Sequence, residues 1–489
     1  MLLSEILKGI QKYELVNFED VEISGLSYNS KTTSSGDMFI CLKGEHSDGH
    51  QFVQMAVEKG AKALLCEKKL DTVLPQVIVD SSRQSIAQVS AAFYSYPSKE
   101  LNLVGITGTN GKTTVTHLVQ KIIEANNRKC GLIGTLGYKI NSDSDYKEAK
   151  HTTPQAPELQ STLRMMVENK ISDVVMEVSS HALEQNRVAG CDFNGAVFTN
   201  LTQDHLDYHI TMNNYFDSKA ILFKGLKEGA FAVINADDEY SQRFISVVPE
   251  NVKILTYGVR NTADIMAKNI EFSIHGAECI FSFDNCEKPI KFQLNGMFSI
   301  YNALAAFAAG IAMGIDPSIC ISALEQTPSV AGRFEIVNKE PLVIVDYAHT
   351  PDGLENVLKA AREITPKGSN LICLFGCGGD RDATKRPKMG KIADEYADKI
   401  VVTSDNPRSE DPELIISDIM TGIKSVNTQR IFVESDRREA IKLTKTVANK
   451  NDVIVLAGKG HEDYQILKNE TIHFDDREEA RNVFANSGI

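Results

Sequence analysis

One short segment constrains the fold of this chain more than any other, because an apolar run, a glycine-containing loop and an amphipathic helix follow one another directly. The apolar run LNLVGIT at residues 101–107 leads into the loop GTNGKTT at residues 108–114. Beyond the loop, five apolar residues recur at the spacing i, i+3, i+4, i+7 and i+8: Val115, Leu118, Val119, Ile122 and Ile123. This order predicts a buried strand, a tight loop and a helix that packs one face on a parallel sheet.

The loop has the residue types that hold phosphate groups. Glycines let backbone N–H groups converge on a phosphate, and the N-terminus of the helix adds partial positive charge. The strict G-x-x-x-x-G-K-[ST] pattern fails because Ile106 stands where the first glycine would be, so this loop is a shorter variant. Lys112 can reach the β- and γ-phosphates, and the Thr113 hydroxyl can bind Mg²⁺. A chance glycine turn is the alternative, but strand, loop and helix agree on nucleotide binding.

Length and patterning together predict three α/β domains. At about 100–200 residues per domain, 489 residues give roughly three domains. Short apolar runs alternate with helical stretches, which is typical of largely parallel or mixed sheets. We expect an N-terminal domain over residues 1–98, a central P-loop-type domain over 99–330 and a C-terminal Rossmann-like domain over 331–489. The N-terminal segment MLLSEILKGIQKYE reads as an amphipathic helix.

In the predicted C-terminal domain, the third block of the chain, polar residues follow each of five apolar runs. Ligands of open parallel sheets lie at the carboxyl ends of the strands, so these residues predict a site at one sheet edge. Polar loops without a function are the alternative for any one of them. The segments are Asp346 to His349, Gly378 to Arg381, Asp405 to Arg408, Asp436 with Arg437, and Gly458 to Glu462.

Composition excludes several classes of function. The net charge of −13 repels phosphate at long range, which argues against general binding of nucleic acid or anionic membranes. The nine cysteines are odd in number and lie mostly in apolar runs, as in a reduced cytoplasmic protein. No apolar run reaches the ~18 residues of a membrane span, and the N-terminus does not resemble a signal peptide.

Charged residues in apolar surroundings suggest a metal site near the loop. Lys219 shares a helical face with Phe216, Ala220 and Phe223 in NNYFDSKAILF. It either snorkels to solvent or carries a carbamate that helps to hold a hard cation such as Mg²⁺. Glu177 lies in the apolar run DVVMEVSS, where an unpaired carboxylate is costly. The segment from Asp204 to His209 adds carboxylates and imidazoles, although a solvated turn would also explain it.

The chain resembles the Mur ligase family through motifs in all three blocks. The motifs are GITGTNGKTT, HTTP, EVSSHALEQNR, TNLTQDHLDYH, YFDSKAILF, DYAHTP, GCGGDRDATKRP, SDNPR and GKGHE. The resemblance implies a monomeric ATP-dependent amide ligase of peptidoglycan precursor synthesis. Its substrates would be ATP, UDP-MurNAc-L-Ala-D-Glu and meso-diaminopimelate, with Mg²⁺ as cofactor and an acyl phosphate as intermediate. Relatives commonly have Asp-Ser-Arg where this chain has Asn29-Ser30-Lys31.

The resemblance also implies roles for individual residues. Lys112, Lys219 and His349 would be catalytic, with Lys219 as N6-carboxylysine. The metal would lie near Thr113, Glu177, His205 and Lys219. The ATP contacts would be Gly108, Thr109, Asn110, Gly111, Lys112, Thr113, Thr114, Asn302, Arg333 and Asp346. The UDP-sugar-peptide contacts would be Ser30, Thr152, Thr153, Ser179, Gln185 and Arg187, with the Gly44–Gly49 loop as a further candidate. The amino-acid contacts would be Arg381, Asp405, Asn406, Pro407, Arg408, Gly458 and Glu462.

Arg408 is the residue that bears on which amino acid is added. Diaminopimelate differs from lysine by a distal carboxylate, which an arginine can hold through two parallel hydrogen bonds. The D-N-P-R motif accompanies diaminopimelate-adding relatives. The alternatives are a lysine-adding ligase, a folylpolyglutamate-type ligase, a P-loop NTPase switch or motor, and a non-catalytic nucleotide-binding module.

Overall fold

Three large β-sheets covered by helices form the frame of the chain in the computed structural model. The structure describes residues 1–44, 47–141, 144–147, 149, 151–273, 276–293, 295–328, 330–424 and 428–485. The predicted α/β class with mixed, mostly parallel sheets is confirmed. None of the described strands of these sheets crosses the predicted boundaries at residues 98/99 and 330/331, so we propose those boundaries for the three domains.

The N-terminal sheet has five strands in the order β1-β5-β4-β3-β2, with β1 antiparallel to β5 and the others parallel. The predicted helix over residues 1–14 is wrong beyond its first turns. The helix ends at Leu7, and Gly9 packs so closely on the third helix that a Cβ there would lie 2.9 Å from Gln88 O. The elements are α1 (Leu3–Leu7), β1 (Glu14–Val16), β2 (Gly25–Ser27), β3 (Asp37–Ile40), a 3₁₀ helix (Gly49–Phe52), α2 (Val53–Glu58), β4 (Ala63–Cys66), β5 (Gln76–Ile78) and α3 (Ser82–Phe93).

The central sheet has ten strands in the order β15-β14-β13-β12-β11-β10-β6-β9-β7-β8. The run from β13 to β7 is parallel, while β8, β14 and β15 are antiparallel to their neighbours. The elements are a 3₁₀ helix (Pro97–Glu100), β6 (Asn102–Thr107), α4 (Lys112–Ala125), β7 (Cys130–Gly134), β8 (Gly137–Lys139), α5 (Ala156–Glu168), β9 (Asp173–Glu177), α6 (Ser180–Glu184), β10 (Gly195–Phe198), α7 (Leu206–His209), α8 (Met212–Lys224), β11 (Phe231–Asn235), α9 (Ser241–Val247), β12 (Lys253–Gly258), β13 (Ile265–Ser273), β14 (Gly276–Phe283), β15 (Cys286–Phe292), α10 (Met297–Ala312) and α11 (Pro317–Gln326).

Both faces of the central sheet are buried at β6, β7, β9, β10 and β11, which explains the continuous apolar runs of these strands. On β6, Leu103 packs into one core, whereas Val104 and Ile106 pack into the opposite core with α4, α10 and α11. The five apolar residues predicted for one face of α4 are all fully buried. The strand–loop–helix prediction is therefore confirmed.

The C-terminal sheet has six strands in the order β16-β17-β21-β18-β19-β20, and all but β16 are parallel. The five predicted strand ends therefore do lie along one edge. The elements are β16 (Glu335–Lys339), β17 (Leu342–Asp346), α12 (Pro351–Glu363), β18 (Leu371–Phe375), α13 (Lys385–Tyr396), β19 (Lys399–Val402), α14 (Pro412–Met420), a 3₁₀ helix (Thr428–Arg430), β20 (Ile431–Val433), α15 (Arg437–Val447), β21 (Val453–Ala457), β22 (Tyr464–Ile466), β23 (Thr471–His473) and α16 (Asp476–Phe484). Across the described ranges, no helix is both long and apolar enough to cross a membrane.

Candidate active site

The phosphate loop turns sharply between β6 and α4 at two glycines. Gly108 has a φ of +150° and Gly111 a φ of +85°. A Cβ at Gly108 would lie 1.9 Å from Thr199 Oγ1, and one at Gly111 would lie 2.3 Å from Asn302 Oδ1. Both positions therefore require glycine, for backbone conformation and for space.

Two lysines, the half-buried Lys112 and the buried Lys219, donate to the same carbonyl of this loop. Lys112 Nζ donates to Gly108 O at 2.9 Å and to Thr109 O at 2.7 Å. Lys219, from α8, also donates to Gly108 O at 2.8 Å and is 1% exposed, so it does not snorkel to solvent. Burial lowers the pKa of Lys112, and burial together with the charge of Lys112 lowers the pKa of Lys219 well below its ordinary value. The burial of Lys219 and its proximity to Lys112 both favour the neutral form of its amine.

Glu177 and His205, two of the predicted metal-associated residues, lie close enough to the lysines to interact with their charges. The Glu177 carboxylate at the end of β9 is buried and accepts hydrogen bonds from Thr135 N and Thr135 Oγ1 at 2.9 and 3.0 Å. The Thr113 hydroxyl is a second hard oxygen. Burial lowers the pKa of His205 to about 3, which leaves its ring neutral as metal binding requires. A carbamate on Lys219 would replace an amine by two more oxygens in this set.

The Asp/His-rich turn does not by itself supply a metal site. His205 lies 3.3 Å from Asp204, while the buried His209 ring contacts Ser180 Oγ at 2.9 Å and Glu184 at 3.2 Å. In the part of the chain that the structure describes, no three His, Cys, Asp or Glu side chains form a metal-binding group. Mg²⁺ commonly takes one or two protein ligands and completes its shell with phosphates and water, so its binding would not require a cluster of three such side chains.

A first cavity of about 280 Å³ lies between the phosphate loop and the C-terminal sheet. Asp346 accepts from Phe334 N and Ala348 N at 2.8 Å, which fixes the turn that carries Arg333. Arg333 then donates to Thr113 Oγ1 at 3.2 Å. The lining includes seven residues of the predicted ATP and catalytic sets: Asn110, Gly111, Thr114, Asn302, Arg333, Asp346 and His349. Gly108, Thr109, Lys112 and Thr113 belong to the same loop and first helical turn.

A second cavity of about 540 Å³ joins residues that the sequence assigned to two different substrates. Four predicted peptide contacts line it: Thr152, Thr153, Ser179 and Arg187. Six predicted amino-acid contacts line it as well: Arg381, Asp405, Asn406, Arg408, Gly458 and Glu462. His205 belongs to the same lining. Residues of both predicted sets therefore line one continuous space.

The two cavities meet at residues that line both of them, Tyr347 and His349. The His349 Nδ1 lies 3.0 Å from Tyr347 O and donates to it, since a carbonyl can only accept. Burial and the charge of Lys385 lower the pKa of His349 to about 4. The imidazole is thus neutral at neutral pH, with its lone pair on Nε2. Lys385 Nζ in turn donates to His349 O at 2.9 Å.

The peptide end of the second cavity is built on a tight polar network. Arg187 donates to Thr153 O at 2.9 Å and to Gln185 Oε1 at 2.8 Å, so Gln185 orients Arg187 and is not itself part of the lining. Thr153 Oγ1 donates to Glu177 O at 2.8 Å and accepts from Ser179 N at 3.0 Å. This network joins the peptide end to the strand that carries Glu177.

Besides Gln185, two predicted contacts lie outside the lining of this cavity. Ser30 lies in the N-terminal turn between β2 and β3, and Tyr28 joins this turn to α5 through a hydrogen bond to Glu158 Oε1 at 2.6 Å. Pro407 contacts Gly379 through its carbonyl rather than lining the space. In the predicted Gly44–Gly49 loop, positions 45 and 46 lie outside the described residues.

One predicted strand-end pair has a structural role instead. Arg437 is 1% exposed and donates to both Asp476 oxygens at 2.8 and 2.7 Å, so the prediction that it faces the sheet edge as a site residue is wrong. It also donates to Ser404 O and Ala457 O, which ties β19 to β21. The spacing of the strands alone cannot show whether an arginine at a strand end contacts a ligand or, like Arg437, forms a buried ion pair.

Several residues that line the cavities were not predicted from the sequence. Tyr347, Lys385, Tyr301 and Asp352 all face these spaces, and Asn110 donates to Asp352 Oδ2 at 2.6 Å. Tyr347 and Lys385 stand inside the quoted motifs DYAHTP and GCGGDRDATKRP, so the motifs could have indicated them. Tyr301 and Asp352 lie on helices whose partners only the fold reveals.

Family models match the chain in three consecutive stretches. They are described as the Mur ligase family catalytic domain over residues 22–98, the Mur ligase middle domain over 106–310, and the Mur ligase glutamate ligase domain over 332–460. The chain belongs to the Mur ligase family. It is therefore an ATP-dependent ligase that forms amide bonds.

Full-length relatives support this membership of the Mur ligases. Proteins named UDP-N-acetylmuramoyl-L-alanyl-D-glutamate–2,6-diaminopimelate ligase from Clostridium botulinum and Bacillus velezensis are each 46% identical to this chain. In both cases the alignment covers 98% of either protein. A solved structure of a ligase with the same name is 33% identical, covers 100% of both chains and has a TM-score of 0.70.

More distant solved structures share the fold alone. A MurF ligase from Thermotoga maritima in complex with ADP is 19% identical, with a TM-score of 0.64 and coverage of 96% of this chain and 98% of that one. A folylpolyglutamate synthase from Mycobacterium tuberculosis is 16% identical, with a TM-score of 0.65 and coverage of 83% and 96%.

Proposed function

We propose that this Mur ligase adds meso-diaminopimelate to the D-glutamate γ-carboxylate of UDP-MurNAc-L-Ala-D-Glu, with ATP converted to ADP and phosphate. The observation that carries the proposal is the second cavity, which brings predicted peptide and amino-acid contacts together and adjoins the first cavity at His349. The names of the full-length relatives support the same substrates. We expect a cytoplasmic monomer, since one chain supplies all the residues and its nine cysteines are free.

The reaction needs activation of a carboxylate, whose oxygen is otherwise a poor leaving group. An oxygen of the D-glutamate γ-carboxylate attacks the γ-phosphorus of ATP, ADP leaves, and an acyl phosphate forms. The amine of the amino acid then attacks the acyl carbon, and phosphate leaves with the oxygen that bridged to phosphorus. The amine gives up a proton in this step. The protein mainly has to position anions and neutralise their charge.

Lys112 is the residue best placed to meet the phosphates. In the structure its ammonium donates to carbonyl oxygens of its own loop, so it must turn from Gly108 O and Thr109 O towards the γ-phosphoryl group. Bound phosphates would oppose the burial that lowers its pKa. Mg²⁺ held near Thr113, Glu177, His205 and a carbamylated Lys219 would neutralise further charge on the phosphates.

His349 is positioned for the proton transfer. Its Nδ1 is engaged by Tyr347 O, so Nε2 is the atom that can accept a proton from the attacking amine. A neutral imidazole with a pKa of about 4 is a weak base, but it remains unprotonated throughout the neutral range. We therefore assign His349 as the group that orients the amine and receives its proton.

Arg408 and Arg381 favour diaminopimelate over lysine. Both arginines line the second cavity together with the acidic residues Asp405 and Glu462. A ligand with an ammonium and a carboxylate on the same carbon complements such a pair of charges. Lysine lacks the distal carboxylate and would leave the arginines without a partner.

Dependence of ADP release on both acceptors tests the proposed function. ADP is measured with UDP-MurNAc-L-Ala-D-Glu alone, with meso-diaminopimelate alone and with both. We expect sustained release only with both substrates, and none above background in Lys112→Ala. Rapid release without either acceptor would instead identify an NTPase of the switch or motor class.

A further inference from the structure

A buried lysine without a role in the proposed chemistry lies beside the amino-acid end of the second cavity. Lys459 follows β21 and its side chain is 0% exposed. Its Nζ donates to Glu462 Oε2 at 3.1 Å and to Asn406 Oδ1 at 3.2 Å, and it lies 3.7 Å from Asp405 Oδ1. Asn406 Nδ2 also donates to Glu462 Oε2 at 2.9 Å. Three predicted amino-acid contacts thus converge on one ammonium group.

The charges in this cluster do not cancel. Two carboxylates, on Asp405 and Glu462, face the single ammonium of Lys459, which leaves one negative charge. Other elements add charged or titratable groups around the cluster. These are Arg437 with its partner Asp476, Arg408, Asp463, Tyr347 and Tyr464.

We propose that Lys459 is a positioning residue that neutralises one carboxylate of the Asp405 and Glu462 pair, so that the pocket offers a single negative charge to the ammonium group of the incoming amino acid. This inference rests on the proposed function, because it assigns the pocket to an amino acid. Without a neighbouring cation, the like charges of Asp405 and Glu462 would favour protonation of one of the two carboxyl groups, and a protonated carboxyl group binds an ammonium poorly.

The electrostatics of Glu462 agree with this role. Burial and the charge of Asp405 raise the pKa of Glu462, while the charge of Lys459 and hydrogen bonds from Asn406 and Lys459 oppose the rise. Removing the ammonium therefore raises the pKa of Glu462 further. Each pH unit by which that pKa exceeds the assay pH lowers the ionised fraction about tenfold.

The test is the pH dependence of the KM values in Lys459→Met. Between about pH 6.5 and 8.5, we expect the parent enzyme to keep a nearly constant KM for meso-diaminopimelate. In the variant, this KM should be at least about tenfold higher at pH 7 and should fall as the pH rises and Glu462 ionises. The KM values for ATP and for UDP-MurNAc-L-Ala-D-Glu should change little. Misfolding of the domain, in contrast, would change these KM values as well.

Further variants separate charge from packing. Lys459→Arg keeps the charge and should keep the flat profile, whereas Lys459→Gln keeps a donor without the charge and should reproduce the sloping profile of the Met variant. The double variant Lys459→Met, Glu462→Gln restores one net negative charge and should fold and show a flat profile even if the single variant does not fold. Lys399→Met, at the opposite end of β19, is the control with no expected change.

Unchanged, pH-independent KM values for meso-diaminopimelate in the Met and Gln variants would overturn the role of Lys459. A sloping profile in the double variant would overturn it as well. The proposed function would survive both results, because it fails only if the parent enzyme does not use meso-diaminopimelate at all.

Discussion

At the scale of single residues, the contacts of Arg408 orient its guanidinium group for a ligand carboxylate. Its backbone has a φ of +53°, and its Nη1 donates to Gly379 O at 2.8 Å. A Cβ at Gly378 would lie 2.9 Å from the same Nη1, so the neighbouring glycine makes room for the guanidinium. With one edge fixed by a carbonyl, the other N–H groups can form paired hydrogen bonds to a ligand carboxylate.

Arg408→Ala should raise the KM for meso-diaminopimelate and leave the KM for ATP nearly unchanged. Loss of a buried charge partner costs about 2–5 kcal/mol, which corresponds to roughly 30-fold or more in affinity. Steady-state kinetics with each substrate varied in turn measures the effect, and the exposed ion-pair residue Arg362→Ala serves as control. Unchanged kinetics for meso-diaminopimelate would remove Arg408 from the site.

Lys219→Ala should abolish ligase activity, because the side chain would no longer carry a carboxylate for the metal. Acid treatment of the parent enzyme should remove the carbamate, and added bicarbonate should partly restore activity at neutral pH. The same treatment should not rescue the Ala variant. Lys224→Ala, an exposed position on the same helix, should behave like the parent. Full activity in Lys219→Ala would show that this side chain only packs.

At the scale of elements, the phosphate loop depends on a glycine that meets a side chain from α10. Gly111 has a φ of +85° and lies against Asn302, whereas Gly229 has a φ of +84° and open space around its Cβ position. The two positions share backbone strain but differ in their neighbours. They therefore form a matched pair for separating strain from steric contact.

Gly111→Ala should weaken ATP binding as well as lower stability, whereas Gly229→Ala should lower stability alone. The left-handed conformation costs a non-glycine residue about 1–2 kcal/mol at either position. Only at Gly111 must Asn302 also move away from the first cavity. Isothermal titration with an ATP analogue and urea unfolding measure the two effects. Equal ATP affinities in both variants would contradict the role of this contact.

Elements with a strong local signal were predictable from sequence, and elements set by tertiary packing were not. The period of Val115 to Ile123 and the loop before it predicted α4 because local conformation and burial agree there. The meander β13–β15 was not predicted, because its strands interleave buried residues with half-buried or exposed ones and have no continuous apolar run. The helix over residues 1–14 failed because Gly9 approaches α3, a contact that sequence periodicity does not reveal.

At the scale of the whole molecule, the active site exists only because the central and C-terminal sheets meet. Asn110 donates to Asp352 at 2.6 Å, Arg333 donates to Thr113 at 3.2 Å, and Lys388 donates to Gln203 at 2.7 Å across this junction. The sequence motifs contain most of the predicted site residues on both sides of this junction. The cavities they share, and the place of His349 between them, depend on contacts between residues more than 180 positions apart.

Buried histidines should make the whole chain less stable at mildly acidic pH. Burial lowers the pKa of His209 to about 4, whereas the unfolded chain takes up a proton near pH 6.5. The contribution of His209 to the free energy of unfolding is therefore fully present above pH 6.5 and is lost as the pH falls towards 4. At pH 5 the loss amounts to about 1 kcal/mol after allowance for solvent screening. Urea unfolding at pH 7.5 and pH 5 measures this difference.

His209→Gln should reduce that pH dependence. The control His473→Gln, at an exposed position, should not reduce it, because the hydrogen bond that His473 donates to Glu478 raises the pKa of His473 and gives its contribution the opposite sign. An identical pH dependence in the parent protein and His209→Gln would show that His209 does not contribute.

The most direct test of the account is mass spectrometry of the product formed in competition. The enzyme is given UDP-MurNAc-L-Ala-D-Glu, ATP, and equal concentrations of lysine and meso-diaminopimelate. We expect a product that carries one meso-diaminopimelate residue, with one ADP released for each amide bond formed. A product that carries lysine would contradict the assignment of the second cavity, and ADP release without any product would contradict the ligase chemistry.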